Sequence, residues 1–150
     1  MAIYTKISRN DIISIGQKFN LGKIIAFKGI KKGIENTNYL IRTKNNKYIL
    51  TIFEKRVQKK DLPFFMSLMD KLNNHNINCP KPQKSKKGNY LVNIKNKPAS
   101  IVSFVEGKEK NKLKIKDCYE IGKNIAKLHM ASKKIKLYRK NSMSDRKSVV

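Results

Sequence analysis

Apolar positions along the chain switch between a helical period and a strand period, and the switches mark out its elements. Ser8-Arg9-Asn10-Asp11 has the spacing of a capping box, and Ile12, Ile15 and Phe19 then recur at helical intervals. Asn20 to Gly22 turns the chain into Lys23 to Ile30, which predicts a first strand. Gly29 and Gly33 bracket a tight turn with Lys31 and Lys32 at its tip, and Thr37 to Thr43 alternates as a second strand. Asn tolerates positive φ, so Lys44-Asn45-Asn46-Lys47 predicts a hairpin turn leading into a third strand, Tyr48 to Glu54.

Asp61 then stands where a helix cap is expected, with Pro63 in the first turn. Phe65, Leu68, Met69 and Leu72 share one helical face, and the cluster Phe64, Phe65, Met66 and Met69 reads as core. Cys79-Pro80-Lys81-Pro82 is an extended connector. Tyr90 to Ile94 and Ala99 to Val105 pair as a hairpin across Lys95-Asn96-Lys97. A polar, lysine-rich linker follows from Gly107 to Lys116. Asp117 is expected to cap a last helix that turns Ile121, Ile125 and Leu128 inward and ends near His129. From Tyr138 the pattern dissolves. Antiparallel hairpins with one helix inserted after the third strand predict an α+β arrangement that buries a single sheet face.

Charge changes this picture less than its size suggests. A net charge of +25 over 150 residues would attract polyanions. The lysines, however, are scattered among many Asn and Ile, as an AT-rich coding bias would leave them, and no nucleic-acid recognition motif accompanies them. No specific nucleic-acid partner is therefore expected. The apolar runs Tyr48 to Phe53 and Leu62 to Met66 are too short to span a bilayer, and Met1 to Ser8 lacks the apolar stretch of a secretory signal. A cytoplasmic location without membrane attachment is the expectation. Cys79 and Cys118 lack metal-ligand spacing, and neither His75 nor His129 has a catalytic partner nearby, so packing or capping accounts for all four. No feature of the chain specifies an oligomeric state.

Two segments carry candidate chemistry. A glycine turn between strands can lay backbone N–H groups over a polyphosphate, and Gly29-Ile30-Lys31-Lys32-Gly33 has that composition, with two lysines adding charge. It matches neither the G-x-x-x-x-G-K-[ST] loop nor G-x-G-x-x-G, and a plain hairpin turn is the competing reading. Ile101 to Gly107 is an apolar strand closing on Glu106-Gly107 and a linker, as a hinge between two lobes would be. There the backbone of Ser103 and Val105 would meet an adenine edge; an edge strand running into a loop is the alternative.

With these segments in view, the chain resembles the homoserine kinases of the aminoglycoside-phosphotransferase/choline-kinase-like type. The likeness runs through MAIYT, FKGIKKGIENTNYLIRT, YILTIFEKRV, DLPFFMSLMDKL, NCPKP, PASIVSFVEG and IGKNIAKLHMA, and stops around Asn141. It implies a protein-kinase-like amino-terminal lobe over residues 1–106, built of a five-stranded antiparallel sheet plus a helix. Residues 107–150 would be the hinge, the linker and the first helices of an incomplete helical lobe. It further implies ATP with Mg²⁺, and transfer of the γ-phosphate to the hydroxyl of L-homoserine on the way to threonine. The phosphate lid would be Gly29 to Gly33, and the adenine rim Ser103, Phe104 and Val105.

The chain departs from that pattern in two places. Kinase-like lobes place a cation on the third strand, paired with a Glu on the next helix. Here Thr51 takes the strand position and Phe65 and Ser67 the helix positions, so both halves of the pair are replaced together. Lys55, on the face of Thr51 by the two-residue period, and Lys28 are the candidates to supply the charge. Secondly, no H-x-D-x-x-x-x-N loop occurs in the 150 residues, so the resemblance implies an amino-terminal portion without catalytic or metal-binding residues, inactive alone. Whether that portion is a partial record or a true truncation is open. The lobe of another small-molecule kinase, acting on an aminoglycoside, choline or a sugar, remains an alternative. A basic nucleic-acid or membrane module is a third reading, one that predicts lysines gathered on a single face.

Overall fold

The computed structural model describes residues 3–55 and 57–140. The end of the resemblance near Asn141 and the tail to Val150 therefore lie outside the described residues. A helix α1 (Arg9–Lys18) opens the fold, and Ser8 and Asp11 form the expected capping box. Three strands follow, β1 (Ile24–Gly29), β2 (Thr37–Thr43) and β3 (Lys47–Ile52), then α2 (Leu62–Asn74), β4 (Leu91–Ile94), β5 (Lys97–Ser103) and α3 (Ile115–Lys134). The strands form one antiparallel sheet in the order β1-β2-β3-β5-β4. The β4–β5 turn is held by Lys95 and Asn96, whose φ values of 48° and 63° are those of a two-residue hairpin.

Period-two alternation divides the sheet into two faces. Tyr39, Ile41, Leu50, Ile52, Ala99, Ile101 and Ile94 pack with Ile12, Ile15, Phe19 and Leu21 from α1 and the turn after it. Among the described residues, the opposite face is covered toward β4, where Phe53, Leu62 and Met66 pack with Phe65, Met69 and Leu91. The expectation of one buried sheet face is thus corrected. Each face has its own cluster, because α1 and α2 lie on opposite sides.

Several boundaries also differ from the sequence reading. The first turn is not tight: Gly29 is still in β1, opposite Tyr39, and the connection runs from Ile30 to Asn36. Asp61 holds the N-cap position of α2 without a side-chain cap bond, since its carboxylate is taken by Arg139. The most buried residues of α2 are Leu62, Met66 and Leu72, with Phe65, Leu68 and Met69 only half-buried. Asp117 is not the cap of α3. It lies in the first turn, and its carboxylate accepts the N–H of Lys114, the capping residue, at 3.0 Å. The helix runs past His129 to Lys134, and its expected inward face is open: Ile121, Ile125 and Leu128 are exposed, and Ala131 alone is buried.

Candidate functional site

Among the described residues no helix covers the β1 side of the sheet face away from α1, and the strand register draws two rows of side chains across it. Lys28 stands opposite Leu40, Leu40 opposite Ile49, Ile49 opposite Val102, and Pro82 bridges to Val102 from outside the sheet. Three inter-strand steps of about 4.8 Å make that row roughly 14 Å long, from the root of the lysine-bearing loop to the end of β5. The second row is Asn38, Thr51, Ser100 and Leu91, with α2 covering its far end. Charge lies at one margin and apolar side chains in the middle.

The predicted residues fall around this face as follows. Lys28 is exposed on β1. Ile30 begins the loop and donates its N–H to the Asn38 carbonyl at 2.8 Å. Lys31, Lys32 and Gly33 are exposed in the loop, and Gly33 has a φ of 116°, a conformation that disfavours any side chain. Gly29 is small for a different reason from the one the phosphate reading requires. A Cβ there would lie 2.4 Å from Ile3 Cδ1, so its missing side chain makes room for the amino-terminal segment. The Lys32 ammonium lies 2.7 Å from Glu109 Oε2, which brings the loop tip against the linker that follows β5. Both side chains are largely exposed, so the pair adds little stability, but it fixes where the linker runs.

At the other end of the apolar row, Ser103 closes β5 opposite Tyr48. Its N–H donates to the Lys81 carbonyl at 2.9 Å, and its Oγ accepts the Lys81 N–H at 2.9 Å. The Ser103 N–H is therefore already used. The Phe104 N–H goes to the Lys47 carbonyl, and the Lys47 ammonium lies 5.4 Å from the centre of the Phe104 ring. Val105 is exposed, and its N–H makes no hydrogen bond among the described residues. Thr51 sits between Asn38 and Ser100, and its hydroxyl donates to Asn38 Oδ1 at 2.8 Å. Lys55 does not share its strand face, because β3 stops at Ile52, where the chain turns inward to bury Phe53; Lys55 is exposed beyond the strand.

Sequence reading missed the polar knot that anchors the loop. Glu54 Oε1 accepts the hydroxyls of Thr5 and Thr37, each at 2.7 Å, and the Lys97 ammonium binds Glu54 Oε2 and Thr5 Oγ1. The backbone N–H groups of Tyr4 and Thr5 donate to Thr37 Oγ1 at 3.0 and 3.1 Å. Tyr4 OH donates to the Ile34 carbonyl, and the Glu54 N–H to Asn36 Oδ1. Burial pushes the Glu54 carboxyl up, but Lys97, Thr37 and Thr5 outweigh it and hold the group below its ordinary value. Four segments distant in sequence meet here, which is why no local pattern announced it. The one available signal was an acid, Glu54, ending an apolar strand.

This architecture, a five-stranded antiparallel sheet with one helix behind it and one beside the other face, is a kinase-like fold. The sequence profile of the phosphotransferase enzyme family matches residues 26–147, and the chain belongs to that family. Over 144 residues it is 40% identical to a homoserine kinase of Methylocella silvestris, which spans 96% of this chain and 45% of that relative. It is 38% identical over the same length to a homoserine kinase of Bradyrhizobium diazoefficiens. The chain thus spans a little under half the length of the curated relatives it matches. Among solved structures, it is similar in fold to a spectinomycin phosphotransferase crystallised with ADP and spectinomycin (TM-score 0.65, 13% identity, 85% of this chain and 39% of that one). It is also similar to a microcompartment-associated aminopropanol kinase (TM-score 0.56, 17% identity, 79% and 40%). Among the described residues no helix is long and apolar enough to cross a membrane.

Proposed function

We propose that this chain is the nucleotide-holding lobe of an ATP-dependent homoserine kinase, with residues 1–106 as the lobe and 107–150 as the hinge, linker and start of a helical lobe. The observation that carries the reading is 40% identity to a homoserine kinase along nearly the whole chain, on a fold whose open face joins a lysine-bearing loop to a backbone rim. Adenine would lie against Leu40, Ile49 and Val102, its edge meeting the Val105 N–H and the rim carbonyls from Ser103 to Val105. The polyphosphate would extend toward Gly29 to Gly33, under Ile30 and Gly33, with Lys28, Lys31 and Lys32 supplying charge. Thr51 would lie beneath it, and Lys55 at the margin.

In the reaction, the γ-phosphoryl group passes from ATP to the hydroxyl of L-homoserine, leaving ADP and O-phospho-L-homoserine. This lobe's residues bind and orient the donor and keep water from the base. Mg²⁺ beside a nucleotide takes one or two carboxylates together with the phosphates, and the residues assigned above to the donor include no carboxylate, so they do not by themselves fit a Mg²⁺ site. We assign the metal ligands and the acid that orients the acceptor hydroxyl to the part of the relatives that this chain does not span. Homoserine kinases of this kind would work in the cytoplasm. The lysines are scattered along the sequence with no nucleic-acid recognition motif beside them, which does not favour that reading.

The test has two arms. Sequencing beyond codon 150 should reveal an in-frame H-x-D-x-x-x-x-N. The full-length product should consume ATP with L-homoserine and not with choline or kanamycin. Consumption with either of the latter alone would overturn the acceptor, and salt-sensitive RNA retention without nucleotide binding would overturn the class.

A further inference from the structure

Resting on the nucleotide reading above, we infer that Asn38 is a phosphate-binding residue, presented by Thr51 as the neutral replacement for the missing strand cation. Thr51 and Asn38 are cross-strand partners on the open face, and the Thr51 hydroxyl donates to Asn38 Oδ1 at 2.8 Å. That bond sets the rotation of the amide, turning Oδ1 toward Thr51. The other end, Nδ2 with two N–H donors, makes no hydrogen bond among the described residues, and Asn38 is only half-buried. With Oδ1 engaged by Thr51, the unpartnered Nδ2 donors are the groups Asn38 has to offer a ligand on the open face.

Its position favours a phosphate oxygen as the acceptor. The Asn38 carbonyl receives the N–H of Ile30, so the residue is tied to the first position of the loop. Lys28 lies on the same face one strand away, and Lys31 and Lys32 follow within the loop. A lysine at position 51 would lack its carboxylate, because Phe65 and Ser67 stand on the helix, and an unpaired cation beside the α2 cluster would be costly to desolvate. A neutral donor avoids that cost. Ser100, the next residue in the row, is fully buried, so the amide is the group of this row left accessible at the loop end.

The test is calorimetric titration of the full-length product with ATP, ADP and adenosine. Asn38→Asp keeps the acceptor for Thr51 but replaces the two donors with a negative oxygen. It should weaken ATP and ADP by about tenfold or more and leave adenosine unchanged, since a hydrogen bond to a charged group contributes on that scale. Thr51→Val, which frees the amide to rotate, should weaken ATP by a smaller factor. In a ¹⁵N-labelled sample the Asn38 side-chain NH₂ signals should move with ATP and stay still with adenosine. Unchanged ATP binding by Asn38→Asp overturns the role of Asn38 alone. Equal losses for ATP and adenosine, or a fall in melting temperature that accounts for both, overturn the phosphate assignment in favour of a structural role. If the unsubstituted full-length protein binds neither ATP nor ADP, the nucleotide reading falls and this inference with it.

Discussion

The Arg139 guanidinium lies 2.8 Å from the Asp61 carboxylate, and its Cζ sits 5.1 Å from the centre of the Phe65 ring. A side chain from the segment after α3 thereby holds the first turn of α2, the helix bordering the open face. Both side chains are mostly buried, which shields the contact from solvent. Asp61 has surrendered its capping role to make it, and the neighbouring Arg139 holds its carboxyl below the usual carboxylate range.

Arg139→Ala should therefore loosen the start of α2 more than the sheet. Hydrogen exchange should speed up at Phe64 to Met66 and stay slow in β2 and β3, with a lower melting temperature. Asp61→Asn should do the same more weakly, since the ring contact survives. Uniform acceleration along the chain would show that the contact merely adds global stability.

Glu54 makes a pH-dependent prediction. In the unfolded chain it takes up a proton near the ordinary glutamate value, whereas in the fold it does so only at lower pH. Between the two the unfolded state holds more protons, so this contribution is complete above the ordinary value and is lost as pH falls through the folded one. Glu54→Gln should cost about 2 kcal/mol at pH 7, the scale of charge-assisted hydrogen bonds. Melting temperatures of the two proteins should converge as pH is lowered from 7 to 3. A gap that stays constant would mean that packing, not ionisation, sets the cost.

Gly29 separates a steric from a phosphate-binding origin for the glycine. Gly29→Ala places a methyl 2.4 Å from the tip of Ile3, so one side chain must move. Overpacking of this kind should cost about 1 kcal/mol, and most of it should vanish against an Ile3→Ala background. Thermal unfolding of the four proteins closes the cycle. An additive double variant would mean that the backbone of Gly29, and not its contact with Ile3, is what the fold requires.

These cases show where the sequence was readable. Thr37 to Thr43 alternates over its whole length, and the strand has those bounds, because one face meets α1 and the other stays half-open. The Ser8–Asp11 box and the Lys95-Asn96 turn were equally legible, each being closed by residues within four positions. Long-range partners defeated the rest. Asp61 looked like a cap because Arg139, 78 positions away, is invisible to a local pattern. Gly29 looked like part of a phosphate turn because Ile3 is 26 positions earlier, and a period-two extrapolation placed Lys55 on a strand that ends at Ile52. Of the candidate site, the sequence offered two segments, the loop and the rim. The Asn38–Thr51 pair that lies between them required the register.

The helical pattern of α3 was legible as well, but not what covers it. Ile121, Ile125 and Leu128 recur at i, i+4 and i+7, a spacing that predicts a buried stripe, yet they are 48%, 48% and 38% exposed. Tyr119 and Met130 beside them are more exposed still. An apolar stripe left open on a chain of this length should drive self-association. The 150-residue chain should scatter light and bind a hydrophobic dye in proportion to its concentration, even at a net charge of +25. Ile125→Lys should raise the soluble monomer fraction without lowering the melting temperature, since the side chain contributes nothing to the two buried clusters. A fall in melting temperature would mean that the stripe already packs against the chain in solution.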